Sequence, residues 1–256
     1  MTNADKGAVL VTGAARRIGR AIALDLGRRG FPIAVHHHRS ETEAEALAAE
    51  IRAAGGIART FAADLGNAQA VARLVPDAAA ALGPIGTLIN NASRFEHDTI
   101  LNATLESWTL HLDVNLRAPF FLAQSFAHAL PEGMDGNIIN LIDMRVWKPT
   151  PHFASYTVSK GGLWLLTQTL AMALAPRIRV NGIGPGPTLP SAHQSAGDFA
   201  RQTAALPLRR APTPDDIAAG VRYILEAPSL TGQMLALDGG QHLPSPALSS
   251  PNGGME

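Results

Sequence analysis

The stretch Ala8-Val9-Leu10-Val11-Thr12-Gly13-Ala14-Ala15-Arg16-Arg17-Ile18-Gly19-Arg20 decides the fold. Its apolar opening reads as a buried strand, and the turn at Gly13 passes the chain directly into a helix from about Arg17 to Arg29, which Gly30 ends. A tight glycine turn at a helix start presents unpaired backbone N–H groups and the positive end of the helix dipole, which suits a pyrophosphate. Gly13 permits the turn and Gly19 permits close approach of the helix to the sheet. A Gly–x5–Gly spacing alone also fits a plain strand-to-helix connection; its place between the first strand and the first helix favours the phosphate cradle. Arg17 stands where many such loops carry glycine, and adds a charged donor within reach of a cofactor phosphate and of a substrate. Ile18 belongs to the same cradle.

Beyond this stretch the same alternation repeats. Strands are expected at Ala8–Thr12, Pro32–His37, Ile57–Ala62, Thr87–Asn90, Asn137–Ile142, Ile178–Ile183 and Met234–Leu237. Between them lie an Ala/Glu-rich helix ended by Gly55-Gly56, a helix over Ala68–Ala81 interrupted at Pro76, and one over Leu105–Leu130 broken at Pro119. Helices over Ala154–Ala175 and Pro214–Glu226 follow, the latter capped by Thr213 with Pro214 in its first turn. The pattern specifies an α/β fold of Rossmann type: a doubly wound, parallel, seven-stranded sheet with helices on both faces. No internal repeat or linker is visible, so residues 1–256 read as a single domain, with a polar substrate loop at about 188–205 and a mobile tail at 244–256.

A domain of this length buries roughly three quarters of the surface of its unfolded chain, so no disulfide or structural metal is required. There are no cysteines, which excludes thiolate nucleophiles and zinc–sulfur sites. The 21 basic and 21 acidic residues cancel, which argues against nucleic acid or an anionic membrane as partner. Met1 to Gly7 is polar, with no basic region followed by an apolar core, and no apolar stretch is long enough to span a bilayer; a cytoplasmic protein is expected.

The end of the second strand identifies the expected dinucleotide. A fold binding NAD needs an acid there for the ribose 2′-OH. This chain has His36-His37-His38-Arg39-Ser40, with no acid before Glu41. Arg39 can fork onto a 2′-phosphate, Ser40 can hydrogen-bond to it, and His38 can contribute, so NADPH is the expected cofactor. A metal site from the three histidines is a poor reading, because successive strand residues face opposite ways.

Tyr156 and Lys160 lie four apart on one face of a helix, and an ammonium beside a phenol is expected to lower its pKa toward the range useful for proton transfer. Asp143 stands thirteen residues earlier, at the carboxyl edge of the sheet where such folds bind ligands.

With these residues in place the chain resembles the short-chain dehydrogenase/reductase family from Val9 to Leu243. The motifs are Thr12-Gly13 with Gly19, Asp64-Leu65, Asn90-Asn91-Ala92, Asn115 in Val114-Asn115-Leu116, Tyr156 with Lys160, Pro185-Gly186, and Asp238-Gly239-Gly240. The resemblance implies that Tyr156 donates a proton, that Lys160 lowers its pKa and binds the nicotinamide ribose, and that Asn115 holds a water in a proton relay. It also implies cofactor contacts at Asp64, Leu65, Asn91, Ala92, Pro185 and Gly186, and a homotetramer built on the two long helices. Asp143 and Arg17 depart from the serine and glycine usual in the family, and Ser93 stands where glycine is usual. These departures are similar to the pteridine reductase and dihydromonapterin reductase branch, which implies a flat pterin between Phe95 and the nicotinamide. Arg17 and Ser93 would hydrogen-bond to it, with Asp143 and Tyr156 supplying the proton.

A physical argument points the same way. A carboxylate beside a polarised ketone would repel the developing oxyanion by several kcal/mol, whereas a ring C=N bond develops charge on nitrogen and needs a proton. Asp143 could instead be a loop cap facing away. The expected reaction is hydride transfer from NADPH to a C=N bond of a pterin-like small molecule such as dihydrobiopterin, dihydromonapterin or dihydrofolate. A carbonyl reductase acting on a ketone, sugar or 3-oxoacyl group is the alternative, and a non-catalytic NADPH-sensing protein a further one. Trp147 could line the site, while Trp108 and Trp164 read as core or subunit contact. His97, His111, His128, His152 and His193 carry no spacing that suggests catalysis.

Overall fold

Alternating apolar strands and amphipathic helices wind into one seven-stranded sheet in the order β3-β2-β1-β4-β5-β6-β7, with every recorded pairing parallel. The computed structural model describes residues 7–190 and 194–243; the expected tail at 244–256, and His193, lie outside the described residues. The strands are β1 (Ala8–Val11), β2 (Ile33–His37), β3 (Ala58–Ala62), β4 (Ile85–Asn90), β5 (Gly136–Leu141), β6 (Ile178–Pro185) and β7 (Met234–Leu237). The helices are α1 (Arg17–Arg28), α2 (Glu41–Ala53), α3 (Ala68–Leu82), α4 (Leu105–Leu112), α5 (Ala118–Ala129), α6 (Ala154–Leu174), α7 (Ala196–Ala204) and α8 (Pro214–Glu226).

One apolar layer joins α1, α2 and α8 to the sheet through residues such as Ile22, Leu47 and Ile217; the other joins α3, α5 and α6 through Leu74, Leu122 and Ala171. Strands β1, β2 and β4 are buried along their whole length, as a sheet covered on both faces requires. A polar chain crosses the middle: Asn90 donates to Asn140 at 2.8 Å, and Asn140 to Thr167 at 2.9 Å. Among the described residues no helix is long and apolar enough to cross a membrane.

Three expectations about helices need correction. Pro76 does not interrupt α3, which runs through it; one lost amide donor is outweighed by burial of Val71, Leu74, Val75 and Ala78 on the sheet side. Pro119 does not break the second long helix either. A π-helical turn over Asp113–Arg117 joins α4 to α5 without a gap, and Pro119 falls in the first turn of α5, where a missing N–H costs least. The substrate loop is not all irregular: it contains α7, whose start is fixed by a reciprocal cap between Ser195 and Asp198.

Candidate active site

A cavity of about 970 Å³ runs along the carboxyl edge of the sheet, from His38, Arg39 and Ser40 at one end to Asp143, Tyr156 and Lys160 at the other. Between them lies the cradle. Gly13 has φ +61°, a left-handed conformation open to glycine. Gly19 is required by space: a Cβ there would lie 2.3 Å from the Gly13 carbonyl oxygen and 2.5 Å from Asn91 Nδ2. No side chain caps α1, so its first-turn amides are left to an anion. Arg17 has φ +54°, which explains why glycine suits this position and costs an arginine roughly 1–2 kcal/mol. Its guanidinium donates to the carbonyls of Pro190 (3.0 Å) and Leu189 (3.3 Å), so it ties the cradle to the start of the substrate loop. Ile18 lines the cavity and packs on the core below.

The cradle is braced by His36, a role invisible without the register of β2. The backbone N–H of Gly13 donates to His36 Nδ1 at 3.0 Å, and Nε2 lies 3.1 Å from the Ala63 carbonyl. Nδ1 must therefore be bare and Nε2 protonated. Burial pushes this imidazole down to about 4, while the bond to Ala63 pulls the other way.

At the nucleotide end, Arg39 is exposed and has no ion-pair partner among the described residues. Ser40 stands at the cap position of α2, yet its hydroxyl makes no capping bond. His38 Nε2 lies 3.8 Å from Asp64 Oδ2, and Leu65 is buried beside it on the cavity wall. An arginine, a histidine and a free hydroxyl, opposite an uncapped helix start, fit a phosphorylated dinucleotide. Asn91 uses its amide to hold the cradle, donating to the carbonyls of Thr12 (2.8 Å) and Gly13 (3.1 Å). Ala92, Pro185 and Gly186 complete this wall.

At the other end Asp143 does two things at once. Its Oδ1 accepts from the Arg145 backbone N–H at 2.8 Å, capping a short 3-10 turn, and its Oδ2 accepts from the Tyr156 hydroxyl at 2.8 Å. Capping and facing the cavity are therefore not alternatives. Lys160 is buried one turn beyond Tyr156 and donates to the Leu141 carbonyl at 2.7 Å. The expected lowering of the phenol by this ammonium is overturned. Burial raises the Tyr156 pKa well above its usual value, and the charge and hydrogen bond of Asp143 raise it further, against Arg145 and Ser93, which lower it. The Lys160 Nζ lies 5.9 Å from the phenol ring centroid, and burial brings its own pKa down to about 8. A phenol beside a carboxylate is held neutral, as a proton donor must be.

Asn115 sits in the π-helical turn, where its amide donates to Ser159 and the Arg94 carbonyl, both at 3.0 Å, and its oxygen accepts from the Arg94 N–H at 2.8 Å. Ser93 also donates to Asn115 Oδ1, at 3.2 Å. Phe95 meets the edge of Tyr156 at 4.7 Å and stacks on Phe153 at 4.3 Å with planes 8° apart. Phe153 and Arg145, whose guanidinium carbon lies 5.1 Å from that ring centroid, are site residues the sequence reading missed. Trp147 does not line the cavity; it contacts Trp164 and His242 outside it.

Comparison with known proteins gives this arrangement a family. A model of the short chain dehydrogenase family matches residues 7–200. The chain belongs to the short-chain dehydrogenases. A solved structure, that of FolM alternative dihydrofolate reductase 1 from Brucella suis in complex with NADP, superposes with TM-score 0.92 at 51% identity, covering 95% of this chain and 97% of that one. Among curated relatives, a 3-oxoacyl-[acyl-carrier-protein] reductase from Synechocystis sp. is 32% identical, over 90% of this chain and 95% of its own length. A 3beta-hydroxysteroid dehydrogenase 1 from Eggerthella lenta is 33% identical, over 92% and 93%. This short-chain dehydrogenase is thus similar both to a protein named a dihydrofolate reductase and to proteins named a 3-oxoacyl reductase and a hydroxysteroid dehydrogenase.

Proposed function

We propose that this short-chain dehydrogenase transfers hydride from NADPH to a C=N bond of a pterin-like substrate, of the class of dihydrobiopterin, dihydromonapterin or dihydrofolate. The observation that carries the reading is the 2.8 Å hydrogen bond from Tyr156 to Asp143 inside the cavity. The likeness to the Brucella suis protein, at 51% identity, supports it. NADPH, when bound, supplies the hydride. Arg39, Ser40 and His38 hold its 2′-phosphate, and the amides of the cradle with Arg17 hold the pyrophosphate. Asp64, Leu65, Asn91, Ala92, Pro185 and Gly186 shape the remaining walls, and Lys160 binds the nicotinamide ribose. Arg17, Ser93 and Phe95 orient the flat ring. As the ring carbon gains hydride, its neighbouring nitrogen takes a proton from the Asp143–Tyr156 pair. Asn115 and Lys160 serve the relay that returns it, and an ammonium lowered to about 8 can give up a proton near neutral pH.

A second reading has a specific support: several curated relatives are 3-oxoacyl reductases, which act on a carbonyl. Oxidation of NADPH by the purified protein against a panel of dihydropterins, dihydrofolate, a 3-oxoacyl thioester and a ketosteroid separates the two. Turnover confined to the carbonyl compounds would refute the pterin reading. Phe120, Phe121, Leu165 and Met172 of α5 and α6 are exposed, which supports self-association into a tetramer; sedimentation at a single-chain mass would refute that.

A further inference from the structure

Behind the aromatic pair lies a buried polar cluster that none of these roles uses. Asp98, His111 and Ser155 are each at most 2% exposed. They come from the loop after β4, the last turn of α4 and the first turn of α6. Ser155 Oγ hydrogen-bonds to Asp98 Oδ2 and lies 2.7 Å from His111 Nδ1. The backbone N–H of Glu96 donates to His111 Nε2 at 3.0 Å, and that of Ser155 to Asp98 Oδ1 at 3.2 Å.

Donor counting fixes every hydrogen. A backbone N–H can only donate, so His111 Nε2 is bare and Nδ1 carries the proton, which it gives to Ser155 Oγ. The Ser155 hydrogen then goes to the Asp98 carboxylate. Burial lowers the His111 pKa and so favours this neutral ring, helped by the charge of Arg94, against a hydrogen bond to the Ser107 backbone and the charges of Asp98 and Glu96, which raise it. Burial disfavours the Asp98 carboxylate, but bonds from Ser155 and Ser107 hold its pKa below the usual range. This order of donors rules out a nucleophilic serine: the histidine donates to the hydroxyl and so cannot be its base.

The cluster reaches the proposed site from two sides. Ser155 is the residue before Tyr156. The Asp98 carbonyl accepts from the Phe153 N–H at 2.7 Å, holding a residue whose φ of +59° is strained for a side chain of that size. Phe153 in turn stacks on Phe95, which touches Tyr156. We propose that His111, acting through Ser155 and Asp98, is a positioning residue that sets Tyr156 and the Phe95–Phe153 pair in the orientation needed for proton delivery to the substrate ring. This rests on the function proposed above.

Ser155→Ala and His111→Phe remove the links, and His111→Asn retains a donor toward Ser155. Each is assayed for NADPH affinity by fluorescence and for turnover of dihydrobiopterin well below its own melting temperature. Misplacement of the phenol by a fraction of an ångström is expected to lower kcat about 10- to 100-fold in the first two variants, with partial recovery in His111→Asn. The NADPH Kd is expected to stay within about twofold, because the cluster touches neither the cradle nor Arg39. Folded Ser155→Ala with kcat within about twofold of wild type would overturn the proposal. So would failure of Ser155→Ala to fold, which would make the cluster a requirement of the fold instead. Wild type that reduces no dihydropterin refutes only the substrate reading, and the same variants are then compared on the carbonyl compound that wild type does reduce.

Discussion

Acid should loosen the cofactor cradle through His36. The ring is 1% exposed and neutral, with Nδ1 accepting from Gly13 and Nε2 committed to Ala63. Protonation puts a hydrogen on Nδ1 and sets two donors face to face. The folded pKa of about 4 lies below the ordinary 6.5, so the unfolded chain binds more protons in between and stability rises with pH across that window. The contribution is complete above the unfolded value and is lost as pH falls from 6.5 toward 4. The shift of 6.5 − 4 = 2.5 corresponds to about 3 kcal/mol in full, of which about 2 kcal/mol is lost between about pH 7 and pH 5. Carboxylates titrate nearby, so the measurement is a difference: urea unfolding of wild type and His36→Gln at both pH values, with NADPH affinity alongside. Wild type should lose about 2 kcal/mol more than the variant on acidification, and its NADPH affinity should fall in step. A pH-independent difference, or a His36 ring titrating near 6.5 by NMR, would refute the assignment.

Asp143→Asn keeps an acceptor for the Arg145 N–H but removes the charge; dihydropterin turnover should fall about 100-fold or more with little change in NADPH affinity, measured by steady-state kinetics and fluorescence titration. The same variant should lower the Tyr156 pKa, since the lost charge raises it, which a spectrophotometric phenol titration reads. Arg39→Ala should weaken NADPH by about 10- to 100-fold and leave NADH binding unchanged, the loss expected for one charge-assisted contact. Gly19→Ala places a methyl group 2.3 Å from the Gly13 carbonyl oxygen; about 1–3 kcal/mol of stability and measurable cofactor binding should both be lost, by thermal melting and titration.

The sheet was legible because its strands are apolar runs separated by helical periodicity, and both signals are local. Pro76 and Pro119 both suggest interruptions that the helices do not have, for a shared reason: proline chemistry is local, but its outcome depends on which amide it removes and what the neighbouring face buries. Helix α7 carried a readable signal, Ser195 and Asp198 at capping-box spacing. Gathering Arg17, Asp143, Tyr156 and Lys160 in one cavity followed from motif order along the carboxyl edge. The direction of the Tyr156 shift did not, because a four-residue spacing says nothing of which charge stands nearer the hydroxyl. His36, His111 and Phe153 were unreadable: each acquires its role from a partner far along the chain or from a left-handed backbone.

The buried relay from Asn90 through Asn140 to the Thr167 hydroxyl bears on how the sheet avoids mispairing. Neighbours such as Leu88, Ile89, Ile138 and Ile139 are greasy on both faces and would tolerate displacement of β5 by one residue. That slip would turn Asn140 to the opposite face and strand two dry amide side chains, those of Asn90 and Asn140, at roughly 1–3 kcal/mol each, while the Thr167 hydroxyl keeps its bond to the Leu163 carbonyl. A single peg thus selects one alignment from several of similar oiliness. Because the loops bearing Ser93 and Asp143 leave from the ends of these two strands, the same peg fixes the gauge between the jaws that would hold a substrate.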